Sequence, residues 1–304
     1  MKREVEGFTL VEVVVALAVT LLLAVMSVLA VRGLLTVWQR THGGAVGAIE
    51  AKLALDQLER DVQSALLRSD GRVWWEVRVV GEGELAAHGW ELGGRMKPAS
   101  ESERLVLERV EGSIADARFG RAGVWLRLVS SDYDSDARAS QPVAISYQIA
   151  RRALGSGSGS PAGYALFREK MSAKATFENV MGVGFGASAP AALVGVENDD
   201  VLASHVVDFG VWVFARDSAG QRVRLFPTVN AVPTAAQFPR EGEPVEVQVM
   251  LRVLSDEGAT LLHAFETGRI EPRAGMSADE AWWSIVEAHS RVCVRSIEVK
   301  ARAW

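Results

Sequence analysis

The sequence predicts an α+β protein in which a long N-terminal helix, membrane-spanning in its first half, packs on an antiparallel β-rich head. Three observations carry this expectation. Residues Phe8 to Val31 form an apolar run whose only charge is Glu12. From Ala51 to Leu66, apolar residues recur at three- and four-residue steps. Beyond Gly71, short segments alternate apolar and polar residues with the period of two that a half-buried strand requires.

As a helix, the run from Phe8 to Val31 spans about 36 Å at about 1.5 Å per residue, enough to cross a hydrocarbon core of about 30 Å. Only MKREVEG precedes it, and no A-x-A cleavage site follows it promptly, so the run does not read as a removable secretory signal. Lys2, Arg3 and the initiating amine oppose Glu4 and Glu6, which leaves a small positive-inside bias for a cytoplasmic N-terminus, diluted by Arg32 and Arg40 on the far side. Glu12 needs a reason to be there. A lone carboxylate costs about 2.5–3.5 kcal/mol at the centre of a membrane helix, less near its end. On physics alone it either snorkels toward the headgroups or is protonated.

Residues 33–70 read as the amphipathic second half of the same helix. Ala51, Leu55, Leu58, Val62, Ala65 and Leu66 share one face, while Lys52, Asp56, Glu59, Arg60 and Asp61 occupy others. Gly43, Gly44 and Gly47 are expected to weaken or kink the helix between its halves, and Arg68-Ser69-Asp70-Gly71 to end it.

The head comprises residues 71–304. Val143, Ile145, Tyr147 and Ile149 make one strand face, and Val245, Val247, Val249, Leu251 and Val253 the clearest one. Asp217-Ser218-Ala219-Gly220 and Ser255-Asp256-Glu257-Gly258 both read as hairpin turns, the second leading into a strand ATLLHAF. The stretch 155–163, GSGSGSPAG, has the composition of a flexible loop and reads as an insertion between neighbouring strands. Residues 181–200 are expected to include a long loop. Ser277 and Glu280 form a capping box that opens a late helix, in which Trp282 and Trp283 have the spacing of core residues. Ile297, Val299 and Ala301 alternate as a final strand, and Cys293 is expected to point inward as a small hydrophobe.

Composition excludes several functions. A formal charge of −5 without a basic stripe argues against a nucleic-acid partner. A single cysteine rules out an internal disulfide and thiolate metal clusters, and the five histidines show no metal-ligand spacing. Asp132, Asp134 and Asp136 have a D-x-D-x-D spacing that can present oxygens to calcium. However, Ala137 stands where an EF-hand loop needs Gly, and Val143 where it needs a bidentate Glu. The segment therefore reads as a solvated turn. No nucleophile elbow, phosphate loop or dinucleotide fingerprint appears, so neither a cofactor nor an enzymatic activity is expected.

Gly7, Phe8, Thr9, Leu10, Val11 and Glu12 read G-F-T-L-V-E, which resembles the processing signal of type IV pilins and type II secretion pseudopilins. The resemblance combines a short charged leader at 1–7, the Gly7-Phe8 junction, a carboxylate four residues after the new terminus and an apolar assembly helix at 8–32. It implies that a prepilin peptidase cuts between Gly7 and Phe8 and methylates the Phe8 amine. It also implies that Glu12 pairs with the Phe8 amine of a neighbouring subunit. LALDQLERDVQSAL, residues 53–66, resembles the same stretch of J-type minor pseudopilins and of W-type minor pilins. Many major pilins have a helix-kinking Pro where this chain has Leu29, a departure that favours a minor subunit. The resemblance thus implies a minor pseudopilin anchored in the inner membrane by a single pass, with its head in the periplasm. Its expected partners are the peptidase, inner-membrane lipid and other minor and major pseudopilins. Some pseudopilins bind calcium in their heads, which keeps Asp132, Asp134 and Asp136 as candidates. Two alternatives stay open: a minor pilin that primes a surface pilus, and a membrane-tethered periplasmic enzyme or ligand-binding domain.

Overall fold

A computed structural model describes residues 10–67, 72–98, 112–134, 139–155, 161–185, 193–227, 235–238, 244–299 and 302–303. The chain divides into two units, residues 1–45 and residues 46–304. Helix α1 is Leu10–Gln63, and the three glycines expected to weaken it do not interrupt it.

In the second unit, the sequence stripe is the buried face of α1. Ala51, Ala54, Leu55, Leu58 and Val62 all lie in the main core. The helix stops at Gln63, short of the expected Arg68-Ser69-Asp70-Gly71, because tertiary hydrogen bonds take over its backbone. The Ser64 carbonyl accepts from the Ser131 amide at 3.0 Å, and Ala65 bridges to Ser130. Strand β1 (Leu66–Leu67) then pairs in parallel with β12 (Arg302–Ala303).

Two antiparallel sheets follow. The six-stranded sheet runs β6-β5-β4-β3-β2-β9, built from β2 (Trp75–Val79), β3 (Val124–Asp134), β4 (Ala139–Ala153), β5 (Ala162–Lys170), β6 (Val201–Ser204) and β9 (Ala235–Phe238). The four-stranded sheet runs β11-β10-β7-β8, from β7 (Val206–Arg216), β8 (Arg222–Phe226), β10 (Glu246–Leu254) and β11 (Ser290–Glu298). As expected, 155–163 joins neighbours: β4 and β5 pair from Ile145↔Lys170 out to Ala153↔Ala162. Asp217 to Gly220 makes the β7–β8 turn, with the Asp217 carboxylate accepting from the Ala219 and Gln221 amides.

The central strands are buried on both faces rather than half-buried. One face of β4 joins the α1 stripe in the main core through Val143, Ile145, Tyr147 and Ile149. On the other, Ala144 packs with Trp74, Val129, Val180, Met181 and Phe185 in a second core. Gln148 on that face donates to the Val194 carbonyl at 2.9 Å and bonds the His88 ring.

The segment Ser255-Asp256-Glu257-Gly258 is not a hairpin turn, and ATLLHAF is not a strand. Ser255 caps helix α2 (Asp256–Glu266) by accepting from the Gly258 amide at 3.1 Å, and Leu262, Phe265 and Glu266 are its buried face. Polar residues capable of a turn are equally capable of a cap, and here two acidic side chains fill the first helical turn. Helix α3 (Ala278–His289) begins with the expected Ser277–Glu280 capping box, and Trp282 and Trp283 are buried edge to face with ring centroids 4.9 Å apart. β11 starts immediately after it, so the final strand is longer than the alternation of Ile297 and Val299 suggests. Cys293 is half-buried and packs against the core.

Candidate assembly segment and its anchor in the head

Gly7 and Phe8 lie outside the described residues. Glu12 lies within α1, but its side chain is outside them. The described side chains around it, Thr20 and Ser27 apart, are apolar and are spread over the whole circumference. Leu10, Val15, Leu17, Val19, Leu21, Leu22, Leu23, Val25, Met26 and Val28 are each more than half exposed. At about 100° per residue no face of such a helix is suited to water, so it needs lipid or other apolar helices around it. Among the described residues no helix is long and apolar enough to cross a membrane, and the run from Phe8 to Val31 falls only partly within them.

Within the second unit, residues 46–63 of α1 are fixed to the head at polar points that its charged faces supply. The Glu50 carboxylate accepts from the Ser204 amide at 3.0 Å. Arg295 on β11 pairs with Asp56 at 2.8 Å and with Glu59. The deepest point is Asp61, read from the sequence as one residue of a polar face. Its carboxylate accepts from Arg168 at 2.7 and 3.2 Å, from the Tyr147 hydroxyl, and from Gln57 at 3.0 Å. Burial and the Asp61 charge push the Tyr147 hydroxyl well above its usual range. Burial pulls the Arg168 guanidinium down, but its hydrogen bond and charge pairing with Asp61 raise it overall.

Other polar groups lie deep in the head where sequence offered no signal. Glu266 on α2 accepts from the Tyr164 hydroxyl at 2.7 Å, the Trp282 indole at 2.9 Å and Arg151 at 2.7 Å. Glu266 and Tyr164 also line a cavity of about 610 Å³ between the β4–β5 hairpin end and α2, together with His205 and His263. The carboxylate is thus engaged in joining α2, α3 and two strands, a packing role rather than that of a free acid or base. Burial pushes Glu169 up to about 7, and Asp200 and Glu197 nearby reinforce the shift.

The candidate calcium ligands are only partly placed. Asp132 lies on β3 and pairs with Lys170 at 2.9 Å, while the side chain of Asp134 and the whole of Asp136 lie outside the described residues. Among the described residues no three His, Cys, Asp or Glu side chains gather as a metal site.

The chain matches the prokaryotic N-terminal methylation motif over residues 2–28. The motif implies processing by a prepilin peptidase, inner-membrane anchoring and a periplasmic head. Among solved structures, a type IV-like pilin from Thermus thermophilus is similar at 11% identity with a TM-score of 0.32, over 84% of this chain and 97% of that one. No curated protein matches.

Proposed function

We propose that this chain is a minor pseudopilin of a type II secretion system, a structural subunit near the tip of a short pseudopilus. The carrying observation is the methylation motif at 2–28, placed on a helix that is apolar all round. A helix of that kind gives the subunit a membrane-stored form and an assembled form, since lipid and a bundle of like helices offer it the same apolar surroundings.

In this reading the peptidase cuts between Gly7 and Phe8 and methylates the Phe8 amine. Glu12 then meets the amine of a neighbouring subunit, so that two isolated charges leave the apolar bundle together and one axial register is favoured. The J-type assignment is supported by the likeness of residues 53–66 and by Leu29 standing where many major pilins have Pro.

Coexpression with an active prepilin peptidase, followed by intact-mass and N-terminal peptide analysis, tests the processing. The expected product starts at methylated Phe8. Recovery of the chain starting at Met1 beside a correctly processed control pilin overturns the reading. Co-purification with minor pseudopilins rather than with pilus-priming subunits tests the choice of system.

A further inference from the structure

We propose that Lys97 and Asp208 form an intramolecular amide cross-link, Nζ to Cγ, made within the folded head with release of one water. The inference concerns the head's own chemistry and does not depend on the assembly role.

Lys97 is a fully buried lysine. Its Nζ lies 2.7 Å from Asp208 Oδ1, and both side chains are 0% exposed. An ion pair so deprived of water is at best near break-even against apolar packing. Condensation removes both charges and leaves a neutral amide. Burial pulls the Lys97 ammonium down from its usual range, against the opposing pull of the Asp208 carboxylate, and the Arg252 guanidinium adds to the lowering.

The geometry is held on every side. Asp208 sits on β7 opposite Arg252 of β10. The Lys97 amide donates to the Tyr164 hydroxyl at 3.0 Å. The Phe119 amide donates to Asp208 Oδ2 at 3.2 Å, where it can hold the oxyanion of a tetrahedral intermediate. The Phe119 ring lies on Gly210, two residues along β7, and the Trp283 ring stands 5.9 Å from Nζ. These rings exclude the water that would reverse the reaction. Fixing amine and carboxyl together supplies the high effective concentration that an uncatalysed condensation needs.

In the step itself, the ammonium passes one proton to the carboxylate and the Nζ lone pair attacks Cγ. A second nitrogen proton moves to the departing hydroxyl, the Cγ–O bond breaks, and water leaves as the Cγ–Nζ bond is completed. No oxidant or other reactant enters.

The test is proteolytic mapping by mass spectrometry of the full chain, purified folded in detergent. The expected result is a branched peptide joining the Lys97 and Asp208 segments, lighter by one water than their sum and lost in Lys97→Met. Linear peptides carrying both residues, recovered from well-folded wild-type protein, overturn the proposal. So does a branched peptide in chain kept in denaturant from synthesis, because the fold would then not be its cause.

Discussion

Arg168 of β5 grips Asp61 of α1 with two nitrogens, at 2.7 and 3.2 Å, and the Tyr147 hydroxyl of β4 donates to the same carboxylate. The helix is thereby tied to the middle of the six-stranded sheet, not to its rim. Removing the carboxylate strands a half-buried guanidinium and a buried hydroxyl. Asp61→Ala is expected to cost about 1–3 kcal/mol in denaturant unfolding of the chain in detergent, as leaving a buried hydroxyl and a half-buried guanidinium without their acceptor does. Asp56→Ala, whose partner Arg295 is more exposed, should cost under about 1 kcal/mol. Equal losses in the two variants would show that Asp61 is no special anchor.

Gly210 is fixed by an aromatic ring. A Cβ there would stand 1.8 Å from Cε2 of Phe119. Gly210→Ala should therefore destabilise the head by at least about 1–3 kcal/mol, the usual cost of overpacking, whereas Gly83→Ala, which meets no atom, should stay near wild type. Thermal melts of the two variants decide it.

Glu169 makes a pH-dependent contribution. Its carboxyl titrates near 7 in the folded head and near 4.5 as a free side chain, so between those values the folded state binds the extra proton. The stabilisation this group gives is fully present below about 4.5 and should be lost as pH rises from there through about 7, with no further pH dependence on either side of that window. Glu169→Gln removes the titration and should flatten the slope of melting temperature across it. An unchanged slope would refute the assignment.

If the proposed function holds, Glu12→Ala should leave peptidase processing at Gly7-Phe8 intact and abolish incorporation into the assembled complex, since in that proposal only assembly uses the carboxylate. Pull-down of the assembled complex beside mass analysis of the N-terminus separates the two effects. Incorporation at the parental level would remove Glu12 from the assembly mechanism.

Much of the architecture was legible where one periodicity operates alone. The stripe through Leu55, Leu58 and Val62 predicted the buried face of α1, and alternation from Val143 to Ile149 predicted β4. Local pattern failed where a distant partner decides. The helix ends at Gln63 because Ser131 and Ser130 of β3 engage the next two residues. Ser255 caps a helix because Leu262 and Phe265 can reach the core from it, although the same four residues suit a hairpin. The pairings of Asp61 with Arg168 and of Lys97 with Asp208 join residues over a hundred positions apart, and nothing local to any of them marks it as buried.

The attachments of α1 also define a path for mechanical load. Tension carried by residues 46–63 passes chiefly through Asp61 into Arg168 of β5 and Tyr147 of β4, two strands zipped to each other in register from Ile145↔Lys170 to Ala153↔Ala162. A ladder of that length pulled along its strands must break many hydrogen bonds together, while the two-residue contact of β1 with β12 gives way one bond at a time. The antiparallel ladder is therefore the firmer of the two pairings under such a load, and the small parallel bridge the weaker.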